Sequence, residues 1–263
     1  MAGTSKLNGQ DEANRKVYFA PGAVRYYLSE SLTPQEETCL RLCHAHIAGK
    51  VVLDIGVGAG HTTRYLQPLA DRYEAVDYSP VMVRFMQQAM PGVSVRQADW
   101  RDLSAFADEN FDFIFATSNV IDALGHEDRL KALAEARRLL RSGGVLAFSA
   151  HNLKYRWARR TPRLQWSNNP LRLLGCLVQY IRCCKNYARL KTLHTETAEY
   201  AVMTDQGHDY ACLHYYAARE TVARQLANAG LRLINVIDHQ GHAMAAGDDE
   251  SGSPNFMYIA ARV

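Results

Sequence analysis

The rhythm of apolar and polar positions changes at residue 51. Residues 17–50 are helical in texture. Thr33-Pro34 supplies a cap and a proline at the first helical position, with Glu36 and Glu37 in the first turn, so a helix is predicted to about Ala48, ended by Gly49. Val51-Val52-Leu53 is then an apolar run too short for a helix and stopped by glycines, which reads as a buried strand. A helix over 61–70, strand Tyr73–Asp77, a helix from Pro80 to about Met90, and strands Val93–Gln97 and Phe111–Thr117 follow. Glu127–Arg141 carries Leu130, Leu133, Ala134, Leu139 and Leu140 at helical spacing, and Ser142-Gly143-Gly144 turns the chain into strand Val145–Ala150. Such alternation specifies an α/β fold with a doubly wound, mostly parallel sheet.

From Asn152 to Ala217 the alternation stops. This insertion after the fifth strand contains a predicted amphipathic helix, 169–191, and two β-like stretches, Ala198–Thr204 and Asp209–Tyr216. A helix at Arg219–Ala229, ended by Gly230, and strands Leu231–Asp238 and Phe256–Ala261 complete a seven-stranded sheet. With no crossover helix between them, the last two strands are expected to pair antiparallel. Residues 1–15 read as loosely attached. The expected organisation is an N-terminal segment (1–50), a core (51–151 and 218–263) and an insertion (152–217).

Composition adds little until its distribution is considered. The 263 residues are 48% hydrophobic and 22% charged, ordinary for a globular protein with a core, and the net charge is only +3. No apolar run approaches the roughly 20 residues of a membrane span, and the N-terminus lacks a signal-peptide core, so a cytoplasmic protein is expected. The six cysteines have no CxxC spacing, which implies reduced thiols and no structural metal.

The basic residues, however, cluster. Lys154, Arg156, Arg159, Arg160, Arg163, Arg172, Arg182, Lys185, Arg189 and Lys191 lie in a stretch, Ala136 to Thr195, that has no Asp or Glu. Between them Leu173, Leu174, Leu177, Val178, Tyr180, Ile181 and Leu190 form an apolar face. An anionic small molecule, a carrier protein, RNA or an anionic membrane surface would be attracted; a solvated helix face accounts for the charges equally well. The apolar face suits a lid, interfacial binding or dimerisation.

Ligands of a doubly wound sheet sit at the carboxyl ends of its strands. Here Asp54 precedes a turn containing Gly56, Gly58 and Gly60, where the backbone turns tightly and approaches a ligand without side-chain interference. Asp54 can order that loop or attract a cationic amino group, and Asp77, one strand over, can accept both hydroxyls of a ribose. The dinucleotide fingerprint is not met, because His61 stands at its third glycine position, and no Gly-Lys-Ser/Thr phosphate loop is present.

With these residues in place, Val51 to Asn152 resembles the core of the class I S-adenosylmethionine-dependent methyltransferases, of bacterial small-molecule type. Val51–Gly60 is similar to the family's first motif, Tyr73–Pro80 to its second, Gln97-Ala98-Asp99-Trp100 to its third, and Phe111–Phe115 with Leu139–Gly144 completes the set. The resemblance implies S-adenosylmethionine as cofactor, S-adenosylhomocysteine as product and no metal. It implies Asp77 on the ribose with Tyr78 beside it, Asp99 on the adenine amino group, Trp100 on the ring, and Ser118 and Asn119, after Thr117, near the methionine end. It also implies that the N-terminal segment closes over the cofactor through Tyr18, Tyr26 and Tyr27. Ser118–Asp122 and Ser149-Ala150-His151-Asn152 are closer likenesses that fix no substrate.

His151 ends a central strand and is the candidate catalytic base; a hydrogen-bonded histidine that orients a loop would occupy the same place. Tyr18, Tyr26, Asn152, His214 and Tyr215 are candidate substrate contacts, with His126, His208 and Asp209 behind them. Holding a nucleophile in line supplies much of the acceleration in methyl transfer, so a base is not obligatory. The expected activity is methylation of a small molecule on oxygen or nitrogen, the acceptor anionic or carrier-bound, under the 152–217 lid. The alternatives are an RNA methyltransferase, for which the Asn/Asp-Pro-Pro-Tyr/Phe motif and an RNA-binding domain are missing, and a non-catalytic binding subunit, against which the intact acids argue. No stable nucleic-acid partner is expected.

Overall fold

Thr33 caps its helix as the sequence requires: its hydroxyl accepts from the Glu36 N–H while the Glu36 carboxylate accepts from the Thr33 N–H, a reciprocal capping box. In the computed structural model, which describes residues 9–28 and 31–263, this helix follows α1 (Gly9–Tyr18) and is α2 (Pro34–Leu42). After it come α3 (His44–Ile47), β1 (Val51–Ile55), α4 (Thr63–Leu66), β2 (Arg72–Asp77), α5 (Pro80–Ala89), β3 (Ser94–Gln97) and β4 (Phe111–Ala116). The chain continues through α6 (His126–Leu139), β5 (Leu140–Asn152), α7 (Pro170–Leu190), β6 (Thr195–Glu196), β7 (Tyr200–Met203), β8 (His214–Ala217), α8 (Arg219–Asn228), β9 (Leu231–Asp238) and β10 (Asn255–Arg262).

The central sheet runs β3-β2-β1-β4-β5-β10-β9, parallel through β5, with β10 antiparallel to both β5 and β9. Those are the seven strands and the antiparallel final pair expected. The sheet does not stop there: β5 outruns β4, and its last residues, His151 and Asn152, take β8 as a parallel neighbour, from which β7 and β6 extend antiparallel. The strands are buried on both faces because successive residues feed opposite layers. Leu53, Ile114 and Phe148 pack on one side, and Val52, Phe113, Phe115 and Ala147 on the other. Among the described residues all six cysteines are free thiols, and no helix is long and apolar enough to cross a membrane.

Four local expectations are corrected. The loose attachment expected of residues 1–15 lies outside the described residues for 1–8, but 9–18 form α1, whose Gln10, Asp11, Ala13 and Asn14 are buried. Asn14 Nδ2 donates to the Leu213 carbonyl (2.8 Å) and its Oδ1 accepts from the Leu213 N–H (2.8 Å); Gln10 Nε2 reaches the Ala123 carbonyl (3.2 Å). Polar side chains hold this helix, so apolar periodicity does not reveal it. The helix expected over 61–70 shortens to α4, and the one expected to Ala48 breaks at Cys43. The turn expected at Ser142-Gly143-Gly144 is present as an irregularity inside β5: from Phe111 to Phe113 on β4 the pairing jumps from Leu140 to Val145 on β5, Gly143 has φ 74°, and a Cβ on Gly144 would sit 2.9 Å from the Arg141 carbonyl oxygen. The strand expected at Asp209–Tyr216 begins only at His214, because His208, Asp209 and Tyr210 have φ of 49°, 54° and 61°.

Candidate active site

At the carboxyl ends of β1, β2, β4 and β5 lies a cavity of about 420 Å³. The turn after β1 forms one wall, with Gly56 at φ 71° and Gly58 at φ 56°. Gly56 has a second requirement, since a Cβ there would lie 2.5 Å from Val120 Cγ2. Asp77 at the end of β2 faces the cavity; its carboxylate accepts from the Gly58 N–H (2.9 Å) and the Ser79 N–H (2.8 Å). Burial nevertheless pushes its pKa up to about 6. Tyr78 lies beside it. Across the floor Ser118 and Asn119 both hold left-handed backbone (φ 55° and 56°), pinned by the Asn119 N–H donating to Ser149 Oγ (2.7 Å).

The other side of the cavity is a chain of paired side chains. His151 Nδ1 lies 2.8 Å from Asp122 Oδ2, which also accepts from the His151 N–H (2.6 Å). The other Asp122 oxygen accepts from Arg129 Nη1 (2.5 Å), and both residues are fully buried. A carboxylate held in this way fixes the imidazole with Nε2 turned to the cavity, 3.3 Å from Asn119 Nδ2 and 4.0 Å from Asp205 Oδ2. Asp205 accepts from the Tyr216 hydroxyl and faces His214 Nδ1, each at 2.7 Å, and His214 Nε2 is 3.0 Å from the Tyr18 hydroxyl. Burial opposes both charges, but their mutual attraction prevails: the Asp205 carboxyl is held well below the usual range and the His214 imidazole well above it. The ligand atoms of His151, Asp205 and His214 lie within 4.8 Å of one another, close enough for a metal, though every ring nitrogen already has a protein partner. Tyr18, Tyr27 and His208 roof the cavity, with Tyr27 Oη 2.9 Å from His208 Nε2.

Of the residues singled out from the sequence, Gly56, Gly58, Asp77, Tyr78, Thr117, Ser118, Asn119, His151, Tyr18, Tyr27, His208 and His214 come together around this cavity. Several candidates stand away from it. Asp54 is buried beneath the loop, accepting from Thr62 Oγ1 (2.7 Å) and the Tyr73 hydroxyl (2.8 Å), with its pKa raised to about 6 by burial. Gly60 gives room to α5, where a Cβ would meet Met86 Sδ at 2.5 Å. Asp99 is paired with Arg101 (2.6 Å) and Trp100 is buried in the core. Asn152 pins the 250–253 loop through the carbonyls of Glu250 and Ser253. Tyr215 is buried against His126 and Gln225, and Tyr26 is exposed, its ring edge-on to His208. Sequence reasoning assigned no role to Asp122, Arg129, Asp205 or Tyr216. One signal was readable: Arg129 occupies the stripe of α6 otherwise filled by Ala132, Leu133, Ala136 and Leu139, and a cation there requires a buried anion.

The cavity wall fits an adenosyl amino acid. It offers the bare main chain of Gly56–Ala59, the Asp77 carboxylate, and three buried polar atoms without protein partners: Tyr78 Oη, Asn119 Oδ1 and His208 Nδ1. Comparison with known proteins agrees. Residues 53–148 match the family described as a methyltransferase domain. A malonyl-[acyl-carrier protein] O-methyltransferase of Pectobacterium atrosepticum is 32% identical over 115 residues, 43% of each chain, so this chain spans less than half of that relative in the match. Among solved structures, an S-adenosylmethionine-dependent methyltransferase from Clostridium acetobutylicum superposes with a TM-score of 0.59 at 14% identity, covering 94% of this chain and 98% of that one. The Burkholderia thailandensis 1,6-didemethyltoxoflavin-N1-methyltransferase, with bound S-adenosylhomocysteine, gives 0.60 at 13% identity over 99% and 93%. Residues 53–148 thus match a methyltransferase domain, one whose cofactor is S-adenosylmethionine, and the chain as a whole has the fold of S-adenosylmethionine-dependent methyltransferases.

Proposed function

We propose that this chain methylates an oxygen or nitrogen of a small-molecule acceptor in the cytoplasm, with His151 as the base. The observation that carries the reading is the Asp122–His151 pair, which turns an oriented ring nitrogen into the cavity opposite the glycine turn. S-adenosylmethionine supplies a methyl group on a cationic sulfur and leaves as S-adenosylhomocysteine, held by the Gly56–Ala59 main chain and Asp77. His151 Nε2 takes the proton of the acceptor hydroxyl or amine, and Asp122, held in place by Arg129, stabilises the imidazolium that results. Tyr18, His214, Asp205 and Tyr216 orient the acceptor. The 152–217 insertion serves as the lid, bringing Trp157, Arg160 and the 205–208 segment over the acceptor, and Arg160 favours an anionic or carrier-bound one. The Pectobacterium relative is by name an O-methyltransferase and the Burkholderia neighbour an N1-methyltransferase, which supports both acceptor atoms.

The test compares methyl label incorporated into a small-metabolite extract with label incorporated into total RNA. Label in small molecules, lost in His151→Gln, is expected. Label confined to RNA, or no binding of S-adenosylhomocysteine by calorimetry, would overturn the reading.

A further inference from the structure

Helix α7 presents its apolar residues outward. Leu171, Leu174, Val178 and Ile181 recur at helical spacing on one face and all are exposed, Leu171 by 82%. Tyr180 and Tyr187, on the opposite face, are turned toward the body of the protein, and Leu190 is buried there. Trp166, just before the helix, is 75% exposed. A contiguous apolar surface of this kind in water needs a partner.

The surrounding charge says which. Arg163, Arg172, Lys185 and Arg189 are exposed around the ridge, and no acidic residue occurs between Ala136 and Thr195 to offset them. A second copy of the chain would bring like charge against like charge. The feature is also a projecting ridge about 15 Å long over residues 171–181, not a groove. A ridge with tryptophan and leucine at its crest and cations on its flanks fits a surface that yields to it and carries diffuse negative charge.

We propose that α7, with Trp166, docks this protein on an anionic lipid bilayer surface, lying in the interface without crossing it. The inference does not rest on the acceptor reading. It does bear on the active site, because α7 is tied to the roof of the cavity: Gln179 Nε2 donates to Asp209 Oδ1 (3.1 Å) and Asn186 Nδ2 to the Asp209 carbonyl (3.0 Å), next to His208. A groove of about 260 Å³ between residues 160–165 and the inward face of α7 shares Arg160 and Gln206 with the main cavity, so α7 borders the approach to the site.

Co-sedimentation of the full chain with vesicles tests this, using phosphatidylcholine alone and phosphatidylcholine with about a third phosphatidylglycerol. Binding to the anionic vesicles only, weakening with salt, is expected. Leu174→Glu/Val178→Glu, at exposed positions, should bind roughly tenfold or more weaker, as loss of two buried aliphatic groups implies. Lys185→Glu/Arg189→Glu should abolish the preference for phosphatidylglycerol. Unchanged S-adenosylhomocysteine affinity in both variants establishes that they are folded and that the cofactor site is intact. No binding to either vesicle, or undiminished binding by Leu174→Glu/Val178→Glu, would overturn the proposal. So would a dimer in sedimentation velocity that this variant dissolves, or a complex with an acidic carrier protein formed in place of vesicle binding.

Discussion

At the scale of single residues, the proposed chemistry turns on two buried groups, Asp122 and Asp77. Asp122 is oriented by Arg129 and in turn orients His151, so the imidazole can take a proton only at Nε2. His151→Gln should lower kcat by about 10²–10⁴-fold, the range for a positioned base, and leave KM and cofactor affinity nearly unchanged. Asp122→Asn, a positioning change, should lower kcat less and shift the pH–rate profile; an unmoved profile would refute its role. Asp77 makes a separate pH prediction. Its folded pKa of about 6 exceeds the unfolded 3.8, so the free folded protein binds the proton more tightly and loses stability from this group as pH rises between those values. With Asp77 on the ribose, as proposed, cofactor affinity runs the other way, because a hydroxyl would donate to the ionised carboxylate. Affinity for S-adenosylhomocysteine should weaken below about pH 6, approaching tenfold per unit, and calorimetry of Asp77→Asn should show weak binding with a shallower slope.

At the scale of elements, the site depends on how segments are tied together. The turn after β1 needs left-handed backbone and close contact with Val120, so Gly56→Ala carries about 1–2 kcal/mol of backbone strain before any steric clash. Loss of cofactor binding with the fold retained by circular dichroism is expected. Helix α1 brings Tyr18 to the roof, and Asn14 holds it by three hydrogen bonds to the main chain at Ala123 and Leu213. Asn14→Ala leaves buried polar groups unpaired, at about 1–3 kcal/mol each and not additively. It should expose residues 9–18 to proteolysis and weaken cofactor binding, and resistance to cleavage equal to wild type would contradict the tether. The main-core elements were legible because their burial is apolar and periodic. Helix α1 was not, because what holds it is hydrogen bonding to the main chain at Ala123 and Leu213, more than a hundred residues away. The strand expected at Asp209–Tyr216 was likewise cut short by three left-handed residues that no local pattern announces.

At the scale of the whole molecule, the cavity lies between the sheet and a roof drawn from both α1 and the 205–208 segment, so a ligand there joins distant parts of the chain. S-adenosylhomocysteine at a hundredfold excess over its Kd should add about 2.7 kcal/mol and raise Tm by about 5–10 °C, readable by calorimetry. The sequence by itself determined the doubly wound sheet, the glycine turn and Asp77, because strand periodicity and special backbone angles are local requirements written into residue types. It also located the basic, acid-free segment, since charge is additive along a chain. Only the tertiary structure decided which polar residues meet. Asp122, His151, Asp205 and His214 come from separate segments and converge where β5 outruns β4 and takes β8 as its neighbour. Asp99, Trp100, Asn152 and Tyr215 were drawn instead into ion pairs, core and loop anchors. Pairing of this kind is set by long-range geometry, which the order of residues does not display.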